Sequence, residues 1–555
     1  MHRFTLRALS SVLLVAGCST DGQPHAADTT SSGGESSDGS TDSSTTTTDA
    51  GNASADTTDT AGSSEDAGTT STTTEESSST DGDESTGEPT DDDPCTDVSA
   101  QTGVAWVRGY LGPDREEILA VASHPDGDVV VAGLFTGPLD FGDGVEHLAA
   151  AETDAFVAKL TVAGDLVWVR VLAGTEGHDW AVDLEIGDDG DVLVLGGFTG
   201  SIDLGDAIHP SAGGTDGFVV ELDAADGTTQ WSRAFGGAYP DVICCPDPPE
   251  FGRGEIAYDG DDAVLFVSRP ASGGLGGGEL DEGSAAVAKY GPDGEHLWSL
   301  ATGQGEGYSI HPAGVAVAAD GTIHLAGSHT GTIEFGGDPI EGSGSFLVEL
   351  DADGGHLSTR GFADARIDAF ALADDGDALV AGTHWDDIDL GGDVLSAPPG
   401  PVTGMPNVFI ARFDDIGHVW SSTYGSHGIE IAGAIAAGPG DRIALSGTLD
   451  FAEFGGQPLS DPLDYGAPFV AVFEGDGTHV YSSAFTSVDG TQPLYWDFGT
   501  AVDFDAAGHL YAAGRFQDTN EFEGTEIMGS GGSWYHLEAF LLRACLVEDG
   551  PKPPR

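Results

Sequence analysis

Positive charge is scarce in this chain. Its 555 residues include 18 Lys plus Arg against 94 Asp plus Glu, a formal net charge of −76. Nucleic acid, phosphate-rich ligands and anionic lipid surfaces are therefore excluded as partners, because each would add repulsion to every contact. With 15 Arg, an arginine clamp for a carboxylate or sulfate is not expected either. After the first 18 residues no apolar run is long enough to cross a bilayer. Catalytic signatures are missing as well: no nucleophile elbow, HExxH, paired CxxC or Gly-rich phosphate loop occurs. The 17 His show no metal-ligand spacing, so neither a metal nor a cofactor is expected.

What is present divides the chain into parts. Residues 1–18, MHRFTLRALSSVLLVAGC, join Arg3 and Arg7 to a short apolar run, the pattern of a signal peptide. The ending Val15-Ala16-Gly17-Cys18 resembles a bacterial lipobox. That resemblance implies cleavage before Cys18, lipidation of Cys18, and attachment to the bilayer of a bacterial cell envelope, at the outer membrane or cell surface. An ordinary signal peptide cut nearby is the alternative. Residues 19–94 contain no Lys or Arg and consist mainly of Ser, Thr, Asp, Glu, Gly and Ala. Such a segment cannot bury enough apolar surface to offset its chain entropy and is expected to be a disordered linker, spanning roughly 50 Å as a flexible coil.

Residues 95–546 are dominated by self-similarity, and 547–555 form a tail. DAFVAKLTVAGDLVWVR at 154–170 returns as DGFVVELDAADGTTQWSR at 216–233. One register carries Trp106, Trp168, Trp231, Trp298, Ser358, Trp420 and Tyr481. A second carries Gly133, Gly196, Gly327, Gly382, Gly447 and Gly514, with the third copy eroded at Val267. A third carries Phe156, Phe218, Phe346, Phe409, Phe469 and Phe540, with Ala286 in the third copy. Each unit reads as four short strands separated by Asp- and Gly-rich turns. Seven such units predict an all-β, seven-bladed β-propeller of four-stranded blades. The pattern resembles the bacterial seven-bladed β-propeller repeat family, which implies a fold and no particular activity.

The seventh unit, ending EAFLLRAC, lacks its Trp strand, and GVAWVR at 103–108 supplies it from the other end of the domain. The last blade is thus expected to be built from both ends, which leaves no unpaired edge. With Cys18 lipidated, four cysteines remain and three pairings are open. A Cys95–Cys545 bridge would lock the closure; Cys244 and Cys245 would then form a vicinal disulfide or stay reduced.

The Trp in the repeat register are assigned to packing between blades. Trp180, Trp385, Trp496 and Trp534 fall outside it, at strand ends that share one face with Tyr535 and with the long loops around 241–254, 395–407 and 528–536. Asp179, Asp386 and Asp497 are adjacent. Aromatics beside carboxylates stack on sugar rings and bind their hydroxyls. This face is therefore the expected binding site, for a glycan or a surface protein; the alternative is that these rings pack under their own loops. The competing class is a hydrolase or lyase acting on polysaccharide through two carboxylates. The PDGD and DDGD turns lack the spaced ligands and distal Glu of a calcium loop and read as hairpins.

Overall fold

The structure, a computed structural model, describes residues 93–96, 102–112, 115–237, 254–268, 274–278, 280, 285–302, 309–397, 405–425, 428–460, 466–488, 497–517, 519–529 and 537–546. Cys18, Cys244, Cys245, Trp496, Trp534 and Tyr535, with most of the acidic segment and the tail, lie outside the described residues.

Seven four-stranded antiparallel sheets follow one another along the chain. Their first strands are Glu116–Ser123, Asp179–Ile186, Gly254–Asp259, Ser309–Val317, Arg366–Leu372, Glu430–Gly438 and Phe498–Phe504. Each touches the first strand of the next blade, and the seventh touches the first, so the ring closes. This is an all-β, seven-bladed propeller. The apolar core lies between blades: Val130 and Val157 of blade 1 pack with Leu184, Val194 and Val220 of blade 2.

Blade 7 is composite, as the repeat predicts. Its strands are Phe498–Phe504, Leu510–Phe516, Glu538–Cys545 and Gly103–Tyr110. The last two pair antiparallel with Gly103 opposite Cys545. A disulfide joins Cys95 to Cys545, with 5.3 Å between Cα atoms.

The Gly and Phe registers are one device. Gly133 is the cross-strand partner of Phe156, Gly196 of Phe218 and Gly514 of Phe540. Beside each Gly the first strand bulges by one residue, as between Ile118 and Ala120. The bulge drives a carbonyl toward the glycine: a Cβ on Gly133 would stand 1.9 Å from the Glu117 carbonyl oxygen. In blade 3, Val267 faces Ala286 instead, and its first strand pairs without a bulge. Valine there supplies volume that the small Ala286 gives up.

The Trp register closes the seams. Trp106 donates Nε1–H to the Val162 carbonyl of the next blade at 3.1 Å, Trp168 to Ala224 at 3.2 Å, Trp298 to Ala352 at 3.0 Å and Trp420 to Gly475 at 2.8 Å. Each indole also lies on a glycine of that next turn: Gly164, Gly227, Gly354 and Gly477. The Arg two residues on assist, Arg108 donating to the Ala163 carbonyl and Arg233 to that of Asp293.

One element was not expected. Between strands two and three a small hairpin recurs, such as Pro138–Asp140 with Glu146–Leu148 in blade 1 and Phe451–Ala452 with Leu459–Ser460 in blade 6. Its Gly-Gly pairs lie against a histidine that starts the outer strand of the same blade: Gly337 on His356, Gly392 on His418, Gly456 on His479.

Candidate functional site

The loops between strands two and three, and those entering the first strands, share one face and frame the expected site. The structure separates its members. Trp180 is 7 % exposed and belongs to a core cluster with Leu134, Leu195 and Phe235. It begins a first strand, where the edge of the neighbouring blade covers it. It is therefore packing, and the expectation that it stacks on a ligand is corrected.

Asp179 is 0 % exposed. Its Oδ2 accepts the Gly174 N–H at 2.7 Å. Burial pushes its carboxyl up to about 8 against the pull of that N–H, and the nearby Asp154 charge adds to the rise. Asp497 is buried likewise, its Oδ1 accepting the Gln517 N–H at 2.8 Å. Both carboxylates tie loops to strands rather than facing a ligand. The same device recurs with Asp154 on the Ala150 N–H and Glu430 on the Phe451 N–H.

Trp385 differs. It is 39 % exposed, and Asp386 and Asp387 beside it are exposed too. It follows directly on Ala378–His384, the second strand of blade 5. His384 beneath it is fully buried. Its Nδ1–H donates to the Asp386 carbonyl at 2.8 Å, and its Nε2 lies 2.7 Å from Thr423 Oγ1. Burial holds this imidazole below its ordinary value, toward the neutral form. Asp387 Oδ1 accepts the Ala397 N–H at 3.2 Å, fixing the far side of the turn. An exposed indole with two carboxylates thus stands on an anchored base.

A hydroxyl–imidazole–carboxylate relay lies on the same face: Thr153 Oγ1 is 2.5 Å from His178 Nδ1, and His178 Nε2 is 2.9 Å from Glu152. Thr153 is buried, and it forms a backbone bridge to His178 between blades 1 and 2. The relay holds a seam together. Among the described residues no cluster of three or more His, Cys, Asp or Glu is placed to hold a metal ion.

On the opposite face the acidic turns have a role that the sequence did not reveal. Four cations, Lys159, Lys289, Arg412 and Arg543, are buried in third strands and draw the turn carboxylates over them. Lys159 bonds Asp126 at 2.6 Å and lies 3.5 Å from Asp128; Lys289 meets Asp259 and Asp262; Arg412 binds Asp375, Asp377 and Asp441, each at 2.6 Å. Arg543 binds Asp505 and Asp93. Nearby, Asp183 of blade 2 accepts the Ile256 N–H of blade 3 at 2.8 Å, and Asp503 of blade 7 accepts the Ser123 N–H of blade 1 at 2.7 Å. Burial raises these carboxyls to about 7 and about 6. Recurrence of Lys or Arg three residues after the third-strand anchor was the available signal.

No protein-family model and no curated protein matches this chain. Several solved structures resemble it distantly. The Dos1 propeller is 9% identical, covers 80% of this chain and 96% of its own, and gives a TM-score of 0.40. A polysaccharide lyase, the PL25 ulvan lyase, is 10% identical over 77% of this chain and 97% of its own, with a TM-score of 0.37. The α-L-arabinofuranosidase arb93a from Fusarium graminearum is 12% identical over 78% and 96%, with a TM-score of 0.32. Likeness at this level carries no argument about ligand or activity. The fold rests on the blades themselves, and the resemblance to the bacterial seven-bladed repeat family reaches no further than that fold.

Proposed function

We propose that this protein is a recognition module held at a bacterial envelope by a lipid on Cys18, lifted from the membrane by residues 19–94, and binding glycan through the long-loop face. The observation that carries the reading is Trp385: an exposed ring, flanked by exposed Asp386 and Asp387, on a base pinned by His384. A flat apolar ring stacks on a sugar face while adjacent carboxylates accept its hydroxyls. The closed ring of blades keeps that surface rigid, so little ordering is required on binding. Long loops on a rigid frame are where recognition is commonly placed.

Replacing Trp385 by Ala tests it. A stacking contact is worth roughly 0.5–1.5 kcal/mol beyond buried area. Glycan affinity should therefore fall several-fold, with the melting temperature unchanged because the ring is exposed. Unchanged affinity would remove Trp385 from the site.

A further inference from the structure

In six of the seven blades the Trp register of the outer strand holds an aromatic residue, and in blade 4 it does not, although Phe362 of the same strand packs on Phe413 of blade 5 with ring centroids 5.1 Å apart. Between blades 4 and 5 that register holds Ser358, opposite Glu349. The receiving turn has changed with it. Residues 414–417 give four positions between the paired Phe413 and His418. The turns that receive Trp106, Trp298 and Trp420 have five, at 161–165, 351–355 and 474–478. A Cβ on Gly164, Gly354 or Gly477 would stand 3.0–3.3 Å from the indole or guanidinium above it, whereas one on Gly417 would meet nothing within 4 Å. Arg360 has moved as well. Arg108 and Arg233, in the same register, lie over the Trp of their own strand at 5.8 and 6.0 Å. Arg360 lies over Phe413 of the next blade at 5.5 Å.

The result is a cavity of ≈ 30 Å³ walled by Leu347, Phe370 and Phe413, with His324, Glu349 and Asp415 among its polar groups. Arg360 and Asp414 also line a groove of ≈ 550 Å³ between the outer strand of blade 4 and the turns of blade 5. At the groove's lip is Ile416, 94% exposed. The inner cavity alone has room for water, of which one needs about 10–15 Å³. A ring must therefore seat in the groove, with its edge toward the cavity.

We propose that this open seam is a docking site for an aromatic side chain carried on a cationic segment of a partner protein. The register is one that the fold fills with a ring elsewhere, and here Ser358 leaves it without one beside an open groove. Glu349, Asp414 and Asp415 set a negative rim against the single Arg360, and the chain's charge of −76 draws cations toward it. A bound ring stacks against Arg360. Ile416, apolar and free of the core, contacts the rest of the segment, which favours a polypeptide over a small solute. The groove takes Asp389, Leu390 and Gly391 from the segment that begins at Trp385, but the inference rests on the Ser358 register and not on glycan binding.

Calorimetric titration of the full chain with lysyl-tryptophanyl-lysine, lysyl-alanyl-lysine and glutamyl-tryptophanyl-glutamate tests the proposal. The first should bind, and the other two should bind at least several-fold more weakly. Ser358→Trp should fill the seam, abolish binding and raise the melting temperature. Because that ring could disturb the shortened turn, Ile416→Ser gives a second check: binding several-fold weaker, melting unchanged. Equal binding of the tryptophan and alanine peptides, or parent-strength binding in Ile416→Ser, overturns the proposal.

Discussion

At the scale of single residues, Asp179 shows how a carboxylate that resembles a ligand group becomes part of the frame. The same place at the seam of blades 5 and 6 is held by Glu430, whose N–H donates to the Pro406 carbonyl as that of Asp179 does to Thr153. Asn407 begins the third strand of blade 5, the position that Asp154 holds in blade 1. The carboxyl of Asp179 has an ordinary value of 3.8 and is raised to about 8 by burial. A raised folded value means that the native state keeps a proton which the unfolded chain releases. The contribution is complete below pH 3.8 and lost as pH rises to about 8. Asp179→Asn keeps the oxygen that accepts the Gly174 N–H and cannot ionise. Its melting temperature relative to the parent should climb steadily between pH 4 and 8 (about four pH units). A difference that stays flat across this range would show that Asp179 does not carry the proton.

At the scale of elements, the repeat was legible and its causes were not. Gly133 and Phe156 were visible as recurring letters, but that they face each other across two strands belongs to the register of the sheet. The bulge that requires the glycine leaves no mark in sequence. The pairing of Val267 with Ala286 turns an eroded copy into a compensated one. It makes a testable claim. Ala286→Phe alone should overpack the blade at a cost of about 1–3 kcal/mol. Adding Val267→Gly should recover part of that loss, with a favourable coupling of roughly 0.5–3 kcal/mol in a double-mutant cycle read by denaturant unfolding. Strictly additive losses would contradict the pairing. The histidines at 296, 356, 418 and 479 formed a fourth register that spacing alone could have revealed; their partners, the Gly-Gly hairpins, are too short to announce themselves as strands. Among the residues expected at a binding face, only exposure separates Trp385 from Trp180, and exposure depends on which blade edge lies alongside.

At the scale of the whole molecule, the orphan strand at Gly103–Tyr110 accounts for how the ring closes. It pairs with Glu538–Cys545 and leaves that strand no open edge. The Cys95–Cys545 disulfide links positions 450 apart in sequence. In the loop-entropy model a crosslink of that span stabilises by roughly 6 kcal/mol, an upper value. Deleting residues 96–110 should remove the outer strand of blade 7, expose a long apolar edge and cause aggregation or a large fall in melting temperature. A deletion variant that melts within about a degree or two of the parent would refute closure by the N-terminal strand, since a degree of melting temperature corresponds to well under 1 kcal/mol.

Closure leaves a ring of blades with few cations, most of those described being engaged in seams and turns, and an exposed Trp385 at the end of a second strand. These features support the proposed recognition role. The most direct test is a glycan array probed with the purified protein, run beside a broad panel of polysaccharide hydrolase and lyase assays. The account predicts binding to a defined set of glycans with no turnover of any of them. Turnover that copurifies with the protein and survives repeated purification would contradict it.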